Sequence, residues 1–347
     1  MDKRERFYKT IHRESVDRPA FWLGLPTDAA LPALLKHFGA KDFQGLKKIV
    51  DDDIWTVICP YHSPVSDLIE DPFKFSMFLE HTESSAERTL TQPGFFAGME
   101  DPSEIDRFDW PDPAQYIDRE AIRRQMAEAP KDRAIMGVLW ASHFQLAFEA
   151  FGMEDALITM KLQPECFEAV INRITEFYLQ ANQIFLEETK GQLDAILIGN
   201  DFGTQNGLMT SPEDLREFVF SGTRQMIEQA HSYGVTVVHH SCGSVFDVIP
   251  DLIACGADVI HPIQALARNM EPERLKENFG NQVAFCGGLD AQELLVNGTP
   301  DAVYQRASEL LDLFPTGLVL SPSHEAILPD VPVQNVEAMV RAVRDRG

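Results

Sequence analysis

The sequence is poor in several things, and each shortage removes a class of function. None of its 347 residues falls in a run approaching the roughly 18 consecutive apolar residues of a membrane-spanning helix. The opening Met1-Asp-Lys-Arg-Glu-Arg leads into no apolar signal core. The expectation is a cytoplasmic protein with no membrane partner. Cysteine is sparse, five residues at positions 59, 166, 242, 255 and 286, and an odd number without a secretion signal argues for free thiols that could bind metal. Positive charge is also short: 30 Lys plus Arg against 54 Asp plus Glu give a formal charge of −24, which repels nucleic acid and anionic membranes. No Gly-x-Gly-x-x-Gly turn follows the first apolar stretch, so a doubly wound dinucleotide-binding sheet has no support.

What is present is an alternation. Short β-branched and apolar runs at 20–25, 53–58, 134–139, 195–201, 235–240, 257–263, 283–286 and 317–320 read as strands, most of them separated by amphipathic helical stretches such as 164–189, 212–233 and 299–313. Eight strands alternating with helices is the count of a closed (β/α)8 TIM barrel, an α/β fold in one domain over residues 1–347. The rhythm lapses only between the second and third strands. Residues 60–133 are polar and punctuated by proline, and read as a hairpin and linker insertion with β-rich pieces around 73–79 and 89–96.

A barrel brings the carboxyl ends of all its strands to one mouth, which makes the residues at those ends the candidates for chemistry. Strand five ends His239-His240-Ser-Cys242. Residues two apart on an extended chain share a face, so His240 and Cys242 can offer imidazole nitrogen and thiolate sulfur to one point, and these are ligands zinc prefers. Taken alone, each histidine or cysteine is more often a core residue. Their joint placement argues otherwise: strand four ends Asn200-Asp201, strand six carries His261, strand seven ends in Cys286, and strand eight leads to His324-Glu325. His240, Cys242 and Cys286 make a candidate set of three zinc ligands, with His261, His324 or water in the fourth position. Asp201 and His324 are the candidate acid and base. A mixed nitrogen and sulfur set leaves zinc enough Lewis acidity to bind and deprotonate a thiol or to polarise an ether oxygen, and either task suits methyl transfer. Trp22, Trp55, Trp140, His143 and Phe202, with Gln205 and Asn206 on the loop after strand four, are the candidate substrate wall, the aromatic members having barrel core as the alternative.

With those residues in hand, the chain resembles the uroporphyrinogen decarboxylase superfamily over nearly its whole length. The resemblance rests on Lys3-Arg-Glu-Arg…Asp17-Arg-Pro, Phe148-Glu-Ala-Phe-Gly-Met153, Asp201-Phe-Gly-Thr-Gln-Asn-Gly207 with Ser211-Pro, His240-Ser-Cys-Gly-Ser244, and Ser323-His324 with Pro329-Asp-Val-Pro332. It implies a TIM barrel with its site at the carboxyl mouth. Decarboxylases of the superfamily bind a polycarboxylate porphyrinogen through arginines just after the first strand, where this chain reads Trp22-Leu-Gly-Leu-Pro-Thr-Asp28 with none. The other branch, the cobalamin-dependent methyltransferases, carries His-x-Cys on the matching strand, so His240 and Cys242 carry over as metal ligands. That branch places its remaining cysteine near the end of the last strand, where Ser323-His324 stands here, while Cys286 ends the strand before.

The resemblance therefore implies a zinc-dependent methyltransferase exchanging a methyl group between a small methylated ether, amine or thiol and cobalamin carried on a partner corrinoid protein, because no cobalamin-binding module is visible in the sequence. A homodimer is compatible with this reading. The rival is a metal-free decarboxylase of a smaller acid using Asp201 and His324, and a third reading is a non-catalytic binder of a corrinoid protein or tetrapyrrole.

Overall fold

The computed structural model describes residues 1–59, 72, 73, 75 and 93–346. Its centre is a curled sheet of seven parallel strands in chain order: β2 (Ile54–Ile58), β3 (Ala134–Val138), β4 (Ala195–Gly199), β5 (Thr236–His240), β6 (Val259–Ile263), β7 (Ala284–Leu289) and β8 (Leu318–Pro322). Two further residue pairs, β1 (Leu25–Pro26) and β9 (Ala326–Ile327), form a small parallel ladder of their own. Alternation along the strands sorts the apolar side chains into two cores. Ile54, Val138, Leu197, Val238, Val259 and Val319 pack inside the curl, and a larger cluster fills the space between the strands and the surrounding helices. This is the TIM-barrel-like architecture expected from the alternation of strands and helices.

The first expected strand is the exception. Residues 20–23 occupy the eighth position between β8 and β2 but form only one regular bridge, Phe21 to Leu320. On the β8 side the backbone pairs, with Trp22 N–H donating to Leu320 O at 2.9 Å and Leu320 N–H to Ala20 O at 2.8 Å. On the β2 side, carboxylates replace ladder carbonyls: Phe21 N–H donates to Asp53 Oδ2 at 2.8 Å and Leu23 N–H to Asp52 Oδ2 at 3.3 Å. The barrel is closed there by Asp53 N–H donating to Phe21 O at 2.9 Å together with these aspartate side chains.

Those aspartates also anchor the floor. The N-terminal helix (Lys3–Ile11) inserts Phe7 and Ile11 into the inner core. Arg6 and Arg18 each reach Asp53 at 2.6 Å, Lys47 pairs with Asp52, and Arg4 and Tyr8 converge on Asp194, whose Oδ2 accepts from Ile135 N–H. Buried charge is tolerated because each carboxylate has both a cation and a backbone donor.

Most of the expected hairpin between the second and third strands lies outside the described residues. Of its β-rich pieces, residues 73, 75 and 93–96 are described, and none of these lies in a strand. Phe73, Phe75, Phe96, Phe108 and Trp110 form an aromatic cluster there, with Phe73 4.7 Å from Phe177 of the long helix Pro164–Thr189.

Removing the acceptor at the floor gives a direct check. Asp53→Ala leaves the buried Arg18 guanidinium without a carboxylate, takes one of two carboxylates from Arg6 and strands one strand amide, and a loss of about 3–5 kcal/mol in urea unfolding is expected. Lys9→Ala, which breaks an exposed pair with Glu5, leaves the midpoint unchanged.

Candidate metal centre

The parallel register sets the site. Gly199 of β4 pairs with His240 of β5, and His240 pairs with His261 of β6. A side chain at 199 is excluded, since a Cβ there would lie 2.0 Å from the His240 carbonyl oxygen. The loops that follow β4 and β5 cross just as closely. A Cβ on Gly243 would meet the Gly203 carbonyl carbon at 2.3 Å, and Gly243 adopts φ of +86°. This contact draws Asp201 over the end of β5.

There, Asp201 Oδ1 accepts from Cys242 N–H at 2.8 Å and lies 3.1 Å from His240 Nε2, while Cys242 Sγ is 3.5 Å from the same nitrogen. Gln145 clamps the aspartate: its Nε2 donates to Asp201 Oδ2 at 3.2 Å and its Oε1 accepts from Asp201 N–H at 3.1 Å. Behind the ring, His240 Nδ1 is 2.9 Å from His261 Nδ1. Trp140 covers His240 with ring centroids 4.5 Å apart. From the far side, the turn between β8 and β9 brings His324 and Glu325, whose facing atoms are 3.4 Å apart, and His324 Nδ1 accepts from Ala326 N–H.

Among the described residues, the side chains able to share a metal form two groups, Asp201 with His240 and Cys242, and Cys242 with His324 and Glu325, the ligand atoms within each group lying within 4.8 Å of one another. Cys242 belongs to both. Zinc bonds of about 2.3 Å to sulfur and about 2.0 Å to nitrogen, set at tetrahedral angles, separate the two ligand atoms by about 3.5 Å, which is the spacing of Cys242 and His240. Glu325 Oε2 is buried with no hydrogen-bond partner, an unsatisfied acceptor that a cation would satisfy. The residues present therefore fit a divalent metal of zinc's preferences.

The electrostatics point the same way. Burial would lower the His240 pKa, but the negative charge of Cys242 and Glu325 and the bond to Asp201 hold it well above the ordinary histidine value. Burial would raise Asp201, yet the bond and charge of His240 pull it down to about 2. Burial likewise opposes the charge on His324, and Cys242 and Glu325 overcome it. Burial and the facing His240 charge push His261 well below its usual value, so it is a neutral ring.

The structure brings Asp201, His240, Cys242 and His324 together, with Trp140 beside them. Cys286 is not among them. Its side chain enters the inner core of the barrel, bonds Ser321 Oγ at 3.4 Å, and has its pKa raised by burial to about 12, the state of a neutral thiol. The proposed substrate wall is mostly core. His143 is fully buried, with Nε2 on Val219 O and Nδ1 facing Asn200, and its work is to hold Asn200. Trp22 lies in the inner core, Trp55 and Phe202 in the outer one, and Gln205 and Asn206 are exposed on their loop. His239 faces away from the mouth and stacks on Phe202. Two participants were not singled out from the sequence. Glu325 had a signal, an acid directly after a candidate histidine. Gln145 had none, being an ordinary residue in an apolar helix.

Known proteins bear on this arrangement. The family model described as uroporphyrinogen decarboxylase (URO-D) matches residues 2–346. A methylated-thiol–coenzyme M methyltransferase of Methanosarcina mazei is 27% identical over 207 residues, 60% of this chain, which thus spans 52% of that relative. A uroporphyrinogen decarboxylase of Magnetococcus marinus is 24% identical over 371 residues, 100% of this chain and 98% of the relative. A solved methyltransferase from Methanosarcina mazei superposes over 99% of both chains with a TM-score of 0.70 at 18% identity, a likeness of fold. With a family model matched from the N-terminal helix to the last one, the chain belongs to the uroporphyrinogen decarboxylase (URO-D) family.

Proposed function

We propose that the protein is a zinc-dependent methyltransferase that moves a methyl group between a small methylated ether, amine or thiol and a corrinoid carried on a partner protein in the cytoplasm. The observation that carries this reading is the group of Asp201, His240 and Cys242 at the barrel mouth, with His324 and Glu325 facing it. The likeness to a methyltransferase acting on methylated thiols supports the choice of reaction. His240 through Nε2 and Cys242 through Sγ would hold the metal, with the third place going to Asp201 or to Glu325. Zinc bound there supplies Lewis acidity toward the substrate heteroatom.

The remaining work falls to this chain's own side chains. Gln145 and the Cys242 amide fix the Asp201 carboxylate so that it does not swing on substrate entry. Trp140 covers the His240 ring and keeps water from that face. His324 is the most open member, with a side chain 43% exposed. Its Nδ1 is occupied by Ala326 N–H, which leaves Nε2 to give a proton to the heteroatom as it loses its methyl group, or to take one in the reverse direction.

Two outcomes check this. Purified protein contains one zinc per chain by elemental analysis. Cys242→Ala and His240→Ala lose most of it, and Cys286→Ser keeps it, because that thiol lies outside both ligand groups. Zinc at full occupancy in Cys242→Ala removes the assignment. Uroporphyrinogen, prepared anaerobically, is not decarboxylated, because the segment 22–28 offers no arginine to its carboxylates. Efficient turnover seen by product chromatography overturns the reading in favour of the decarboxylase.

A further inference from the structure

We propose that His261 is the positioning residue of this centre: it accepts a hydrogen bond from Nδ1 of His240 and so keeps the Nε2 lone pair of His240 free for a metal. This rests on the metal reading above and adds a residue to it. His240 and His261 sit opposite each other on β5 and β6, so the sheet register, and not a loop, aligns them. Their rings are 5.0 Å apart, and the two Nδ1 atoms 2.9 Å.

To bind a metal His240 gives up one of its two ring protons, and the two imidazoles joined Nδ1 to Nδ1 then hold one proton between those atoms, so one donates and the other accepts. If His261 donated, the proton of His240 would sit on Nε2, aimed at Asp201 Oδ1 and Cys242 Sγ, with no lone pair left for a metal. If His240 donates, Nε2 is bare, 3.1 Å from the carboxylate and 3.5 Å from the sulfur, and the His261 proton moves to its own Nε2. That atom is buried and has no hydrogen-bond partner among the described residues. A buried donor without a partner costs stability, yet Trp22, 5.5 Å from the His261 ring, packs the imidazole in place. The other group near His240 Nδ1 is Glu325, which at 3.6 Å is beyond hydrogen-bond distance and belongs with Cys242 and His324.

The test compares His261→Leu, which fills the space without an acceptor, with His261→Asn, whose Oδ1 can accept where Nδ1 did. Zinc affinity is measured by competition with a chromophoric chelator, and the visible bands of the Co(II)-substituted proteins report ligand geometry. Thermal unfolding confirms that each variant is folded. If His261→Leu does not fold, His261→Phe, which keeps a ring against Trp22, is read instead.

The expected result is zinc affinity 10–100-fold weaker, roughly, with altered cobalt bands in His261→Leu, and affinity within about threefold of wild type in His261→Asn. Wild-type affinity in His261→Leu overturns the proposal. Equal weakening in both variants also overturns it, since His261 would then act by packing alone. Wild-type protein that takes up no zinc or cobalt overturns the metal reading itself, and this inference with it.

Discussion

The His240 imidazole has a partner at each of its two nitrogens, and the arrangement of the site follows from that ring. On its Nε2 side stand Asp201 and Cys242, and on its Nδ1 side His261, with Trp140 over its face. Each neighbour comes from a different strand end, so the ring can be held this way only in a parallel sheet curled far enough to bring β3, β4, β5 and β6 to one mouth. The glycines at 199 and 243 let the neighbouring backbones approach closely enough to do it. A buried ring that favours its protonated form, ringed by a thiol and two carboxylates, is a place where a metal cation can substitute for a proton.

The opposite end of the barrel serves a different purpose. Asp52, Asp53 and Asp194 precede strands and collect arginines, a lysine and strand amides, locking the N-terminal helix as a plug. Because two of these carboxylates take the place of ladder carbonyls along 20–23, closure of the barrel and anchoring of its floor are one set of bonds. The mouth is thereby left to short loops that carry Asp201, Cys242 and His324 without bearing the fold. Paired charge at the floor and donors at the mouth are separate demands on the sequence, in keeping with stability at one face of such barrels and chemistry at the other.

The order of strands was legible because β-branched runs alternate with long amphipathic helices, and the pairing of His240 with Cys242 was legible because a strand's period is two. What escaped the sequence has physical reasons. The run 20–25 read as a strand, but nothing in it shows that the amides of Phe21 and Leu23 are taken up by aspartate side chains from another segment. Cys286 stands at a strand end, yet it belongs to the inner core beside Ser321, because position along a strand does not fix depth in the barrel. Aromatic residues near strand ends read equally well as wall or core, and His143, Trp55 and Phe202 are buried away from the centre, while Trp140, part of the inner core, also lies against His240. Gln145 enters only through tertiary geometry, from a helix whose first turn bonds Asp201, and Glu325, though beside a candidate histidine, reaches the centre by the turn between β8 and β9.

Membership in the URO-D family admits more than one chemistry, and the likenesses to a methyltransferase and to a decarboxylase fall on either side of that line. What separates them in this chain is whether the donors at the mouth hold a metal, and with how many sulfurs. X-ray absorption at the zinc edge of the purified protein measures this directly. The account predicts a four-coordinate zinc with one sulfur neighbour, from Cys242, and otherwise nitrogen and oxygen. A shell with two sulfurs would return Cys286 to the centre and contradict the arrangement described, and a protein with no bound zinc would contradict the metal centre altogether.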